Sequence, residues 1–123
     1  MQRKFRLTRS EDFKRVRRSG KSYAHPLVVL IVQACDKRSS PVDQLRVKVG
    51  VTAGRTVGTA VSRNRAKRLL REATRTLIPN IASGFDLILI ARPSLVSATL
   101  EETRQALLTL LQRAQILIPL NES

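Results

Sequence analysis

Residues 62–72 read SRNRAKRLLRE and hold the densest group of side chains able to do chemistry in the chain. Guanidinium forks bind phosphate oxygens in bidentate fashion, and a lysine adds a point charge. An asparagine between two arginines adds a neutral donor and acceptor able to reach a base edge or a ribose 2′-OH. At roughly 100° per residue, Arg63, Asn64, Lys67, Arg68, Arg71 and Arg75 fill an arc of about 140°, with Arg65 on its flank. Ala66, Leu69, Leu70, Ala73 and Leu77 form a core-facing stripe about 100° wide on the other side. Glu72 is the one acid in the stretch and cannot neutralise the arc through neighbouring pairs. The charged face is therefore either solvated or held for an external anion.

The whole-chain charge favours the anion. In 123 residues, 23 Lys and Arg stand against 9 Asp and Glu, a formal net charge of +14. Such self-repulsion is relieved by a polyanion, and nucleic acid is the first to consider. Little points to catalysis by the chain itself. The acids are scattered without a two-metal nuclease motif, His25 is the single histidine, and Cys35 has no partner for a disulfide or a zinc site. Glu11 and Asp12 could weakly hold a divalent ion, but acids at a helix start are stabilising in their own right, and that reading is preferred. The N-terminal residues lack the apolar core of a signal peptide, and the longest apolar run, PLVVLIVQAC, is too short to span a bilayer. The expectation is a soluble, cytoplasmic protein without a membrane or small-molecule ligand.

The elements that position these side chains can be read as one domain over residues 1–123, with residues 1–7 as a flexible arm. Thr8 and Glu11 have the spacing of a capping box and start a helix that Ser19 and Gly20 stop, with Phe13 and Val16 on one face. A short strand around Ser22 and Tyr23 precedes a buried strand, LVVLIVQ, at residues 27–33. After a polar loop at 36–44, LRVKVGVTA alternates: Leu45, Val47, Val49, Val51 and Ala53 face one way, Arg46, Lys48, Gly50 and Thr52 the other. Gly50 leaves room for a close approach. The basic helix spans about 58–77 and ends before Pro79, and FDLILIAR at 85–92 is a further apolar strand. Thr99 and Glu102 form another capping box, ahead of Leu100, Leu107, Leu108, Leu111 and Ala114 at helical spacing. The order is helix, two or three strands, helix, strand, helix, which makes a mixed sheet covered by helices.

Residues 57–75, VGTAVSRNRAKRLLREATR, resemble the signature of the protein subunit of bacterial ribonuclease P. Its Arg-Asn-Arg core, Lys-Arg pair and further Arg are matched by Arg63, Asn64, Arg65, Lys67, Arg68 and Arg71. LTRSEDFKRVRRSG is similar to the family's first helix, RVKVGVTAGR to the strand before the signature, and FDLILIARP to the strand after it. The resemblance implies an α+β fold: a single-domain α/β sandwich in the order αβββαβα, with a mixed four-stranded sheet. Its βαβ crossover would be left-handed, against the general rule. It also implies removal of the 5′ leader from precursor tRNA by a catalytic RNA subunit that holds Mg2+, with the protein as cofactor. The partners implied are ribonuclease P RNA and precursor tRNA.

Two surfaces follow from the resemblance. Arg55 and the signature residues would dock on the catalytic RNA. A cleft between the first helix and the sheet, lined by Phe13, Val16, Arg17, Val29, Ile31 and Arg92, would take the single-stranded leader. Arg17 and Ile31 stand where relatives often carry a ring, and Arg55-Thr56 is a reduced form of the family's basic pair. Phe13 reads as a core anchor from its residue type and as a stacking platform from the resemblance. Three rivals stand beside this reading: a basic-zipper DNA-binding protein, a ribosomal-type or RNA-chaperone protein, and a protein-only nuclease. Pro79, Asn80 and Gly84 interrupt the leucine heptads the first would need.

Overall fold

The computed structural model describes residues 5–35 and 46–118. Among them, three helices and four strands follow in the order αβββαβα: α1 Ser10–Ser19, β1 Lys21–Ala24, β2 Val28–Ala34, β3 Lys48–Thr52, α2 Ala60–Leu77, β4 Phe85–Ala91 and α3 Leu100–Arg113. The sheet order is β1-β2-β4-β3. β2 pairs antiparallel with β1 and β4, whereas β3 and β4 run parallel, joined through α2. A parallel pair needs such a crossover, and the amphipathic α2 supplies it.

The two-residue period of the strands divides their side chains between the faces of the sheet. On one face Val28, Leu30, Val32, Val49, Leu87 and Leu89 form the main core with Ala66, Leu70, Ala73 and Leu77 of α2 and Ala106, Leu107, Leu110 and Leu111 of α3. On the other face Ile31 and Ile88 pack with Val16 of α1 and with Leu7. The sheet thus lies between α2 and α3 on one side and α1 on the other.

Local capping holds the helices in place. Thr59 caps α2, its hydroxyl accepting from the Ser62 N–H at 3.2 Å. The expected box at α3 is complete: the Thr99 N–H donates to Glu102 at 2.9 Å, and the Glu102 N–H donates to the Thr99 hydroxyl at 3.1 Å. The expected box at α1 is absent. Its N-cap is Arg9, with no side-chain bond. A tertiary contact fixes the chain there instead, the Leu7 N–H donating to the Val49 carbonyl at 2.9 Å.

Several other expectations change. Leu7 is buried, and Arg6 bridges to Val49 beside β3, so residues 5–7 are held against the sheet rather than forming an arm. The expected stop holds, since Gly20 ends α1 in extended backbone, where a Cβ would lie 2.5 Å from the Val16 carbonyl oxygen. Leu100 is exposed, and the inward stripe of α3 is Thr103, Ala106, Leu107, Leu110 and Leu111. Residues 1–4, the loop at 36–44 and Leu45 lie outside the described residues. No helix among the described residues is long and apolar enough to cross a membrane.

Candidate nucleic-acid interface

The basic face of α2 is what the sequence periodicity predicts. Ala66, Leu70, Ala73 and Leu77 are buried, and Leu69 is half-buried. On the other side Asn64, Arg65 and Arg68 are exposed, while Arg63, Lys67 and Arg71, spaced four residues apart, are half-buried along one flank. Arg55 is exposed in the 3-10 turn Arg55–Val57 just ahead of the helix. Between that turn and α2, Gly58 has φ 130°, a conformation that L side chains rarely adopt.

What these side chains lack is as informative as where they sit. Arg55, Arg63, Asn64, Lys67, Arg68 and Arg71 make no side-chain hydrogen bond or ion pair with another described residue. The Arg63 Nε is buried without a partner. Arg65 differs, because its Nε donates to the Val96 carbonyl at 2.9 Å and the side chain is aimed by the 3-10 turn Pro93–Ser97. The single acid on the helix, Glu72, pairs with Arg75 at 2.6 Å. The Arg75 hydrogen bond and charge hold the Glu72 carboxyl below its ordinary range, and Glu72 in turn raises Arg75. Among the described residues no acid neutralises the rest of the stripe, the condition for attracting a polyphosphate.

The opposite face of the sheet is built from several elements. The strand registers set its side chains in three rows: Gln33, Asp86 and Lys48; Ile31, Ile88 and Gly50; Val29, Ile90 and Thr52. Helix α1 covers the first two rows. Arg15 bonds to both Gln33 and the buried Asp86, and lies 3.4 Å from Asp12. Burial alone would lower the Arg15 pKa, but the bonds and charges of Asp86 and then Asp12 outweigh it and leave it raised. Val16 packs at zero exposure with Ile31 and Ile88. The approach that Gly50 allows is that of Phe13, whose ring would lie 2.3 Å from a Cβ at that position.

The expected cleft residues therefore divide into two groups. Phe13 and Val29 are half-buried, and Arg17 and Arg92 are exposed. Val16 and Ile31, at 0% and 6% exposure, lie beneath the surface as its support. Ile90 and Thr52 complete the half-buried third row. Neither was among the expected cleft residues: alternation along β3 places Thr52 on the side of Gly50, whereas Ile90 joins the row only through the pairing of β4 with β2 and β3. A cavity of about 150 Å³ joins the two regions, lined by Arg71 of α2, Phe13 of α1 and Arg6, among others. Among the described residues no three His, Cys, Asp or Glu side chains cluster as metal ligands. Asp12 faces Arg15, and Glu11 is exposed.

The sequence profile of the Ribonuclease P family matches residues 1–115. The chain belongs to the ribonuclease P protein family. The ribonuclease P protein component of Herpetosiphon aurantiacus is 43% identical over 116 residues, covering 94% of this chain and 89% of the relative. That of Chloroflexus aurantiacus is 35% identical over 125 residues, covering 100% and 87%. Among solved structures, the RNase P protein of Staphylococcus aureus has a TM-score of 0.76 at 26% identity, covering 92% of this chain and 97% of that one. The RNase P protein of Thermotoga maritima has a TM-score of 0.73 at 28% identity, covering 88% and 96%. The αβββαβα sandwich is thus the ribonuclease P protein fold. Membership makes this chain a protein subunit of a ribonucleoprotein endoribonuclease, whose catalytic RNA is a separate molecule.

Proposed function

We propose that the two faces of the sheet carry two different RNA tasks. The α2 stripe, Arg63, Asn64, Arg65, Lys67, Arg68 and Arg71 with Arg55 before it, docks on the ribonuclease P RNA. The α1 face, with Phe13, Arg17, Val29 and Arg92 at its surface and Val16 and Ile31 beneath, receives the 5′ leader of precursor tRNA. The RNA then cleaves the leader to give the mature 5′ end, in the cytoplasm.

The observation that carries this reading is the row of α2 cations that, Arg65 apart, have no side-chain partner among the described residues. Each guanidinium placed on a phosphate releases condensed counterions, so docking gains affinity and depends steeply on salt. The half-buried Phe13 ring beside an apolar row suits an unpaired strand, whose bases are free to stack. Mg2+, when bound, would supply charge neutralisation for the phosphate. The described acids of this chain are paired with arginines, used in a helix cap or dispersed, and do not fit an Mg2+ site, so in this reading the RNA holds the ion.

The test is cleavage of a precursor tRNA at low magnesium by the protein alone, by a bacterial ribonuclease P RNA alone, and by both. Correct cleavage in the combination only is the expected result. Cleavage by the protein alone would return the chemistry to its carboxylates. Absence of any stimulation would favour a ribosomal-type RNA-binding protein.

A further inference from the structure

A buried charge pair lies away from the basic stripe. Asp86 is buried in β4, with its side chain 6% exposed, between Gln33 of β2 and Lys48 of β3 in the strand registers. Arg15, midway along α1, donates from Nη1 to Gln33 Oε1 and from Nη2 to Asp86 Oδ2. Burying such a pair is weak support for stability, because desolvation offsets much of the attraction. Its geometric effect is larger. A planar fork bonded to two adjacent strands fixes both the rotation and the position of the helix that carries it. The apolar contacts of Val16 with Ile31 and Ile88 are non-directional and would tolerate sliding.

The neighbours of Arg15 make this consequential. Phe13 and Arg17 lie two residues to either side of it on the same rigid helix, and the Phe13 ring has a seat only because Gly50 has no side chain. We infer that the Arg15–Asp86–Gln33 clip is a positioning device: it sets the register of α1 on the sheet and so holds Phe13 and Arg17 in place for the leader strand. Arg15 acts through Phe13 and Arg17 and need not touch the RNA. The inference rests on assigning the α1 face to the leader.

The direct test replaces the clip by apolar side chains of similar bulk, Arg15→Met with Asp86→Leu. Such a swap commonly leaves a fold as stable as before, so the two roles separate. Arg15→Lys serves as the conservative variant that retains the charge pair. Two readouts are taken on the full chain: the fluorine NMR resonance of Phe13, assigned among three labelled phenylalanines, and the preference of the reconstituted holoenzyme for a leader-bearing precursor over mature tRNA. In the double variant the Phe13 resonance should shift or broaden. Leader preference should fall about fivefold, a fraction of the loss from removing a stacked base. Affinity for the catalytic RNA should stay within about twofold, since the α2 contacts that set it are untouched. Arg15→Lys should recover part of the preference. An unmoved Phe13 resonance in a folded double variant would overturn the clip. A moved resonance with unchanged leader preference would overturn the leader assignment instead.

Discussion

The two faces of the sheet arrange the same side-chain type in different ways. On α2 the arginines are set out along one helix, exposed or half-buried, and lack acidic partners among the described residues apart from the Glu72–Arg75 pair. On the α1 face the central arginine, Arg15, is held by a buried carboxylate, and the surface beside it is a ring and an apolar row. Unpartnered charge gives affinity for any phosphate backbone, with strong salt dependence and little choice of sequence. A neutralised Arg15 beside a stacking surface adds little long-range attraction of its own, leaving that to exposed Arg17 and Arg92, and gives a defined shape for an unpaired strand. On the proposed assignment, the chain combines a general grip with a more selective one on opposite sides of a single sheet.

The largest break in this comparison should come from Gly50→Val. Its side chain would occupy the seat of the Phe13 ring, an overpacking worth about 1–3 kcal/mol. Thermal unfolding should show the loss, and leader preference should fall with it. A fully stable Gly50→Val variant with unchanged leader preference would mean that Phe13 does not rest on Gly50.

Phe13→Ala isolates the selective face. It should weaken binding of a leader-bearing precursor by about 1–3 kcal/mol, the value of one stacked base, and leave mature tRNA little changed. Equal losses on both substrates in equilibrium titrations would make Phe13 a core residue alone.

Arg68→Ala probes the general grip more gently. It should weaken association with the catalytic RNA irrespective of leader and flatten the slope of log K against log salt by about 0.7–0.9. An unchanged slope would remove Arg68 from the phosphate contacts.

The smallest effect should be that of Glu72→Gln, which frees Arg75 to join the stripe. At neutral pH the variant should bind the RNA slightly more tightly. Arg75 lowers the Glu72 carboxyl, so the pair's contribution is present above the ordinary carboxylate range and is lost as pH falls through the lowered value. Titrations at decreasing pH should show the variant and the parent converging only on that acid limb.

How much of this was legible depended on whether a feature lies within one element. The α2 stripe could be read because helical period alone separates Arg63, Lys67 and Arg71 from Ala66, Leu70 and Ala73. The Thr99–Glu102 box could be read because both bonds are local. Thr8 and Glu11 have the same spacing, yet the strand-edge bond of Leu7 to Val49 sets the start of α1, and local propensity yields to it. The sequence pattern showed that something approaches Gly50 but could not show that Phe13 does. The Arg15–Asp86 contact joins positions 71 residues apart, which no local period encodes. Val16 and Ile31 were placed in a cleft by resemblance, whereas their burial follows from how α1 packs across β2 and β4.

The most direct test of the account is a two-by-two measurement on the reconstituted ribonucleoprotein. Affinity for the catalytic RNA and preference for a leader-bearing precursor are measured for the parent chain, Arg68→Ala, Phe13→Ala and the double variant. Separate faces predict that Arg68→Ala lowers only the first quantity, Phe13→Ala only the second, and that the double variant shows both losses added within about 0.5 kcal/mol. Each single variant lowering both quantities together would contradict the division of tasks between the two faces.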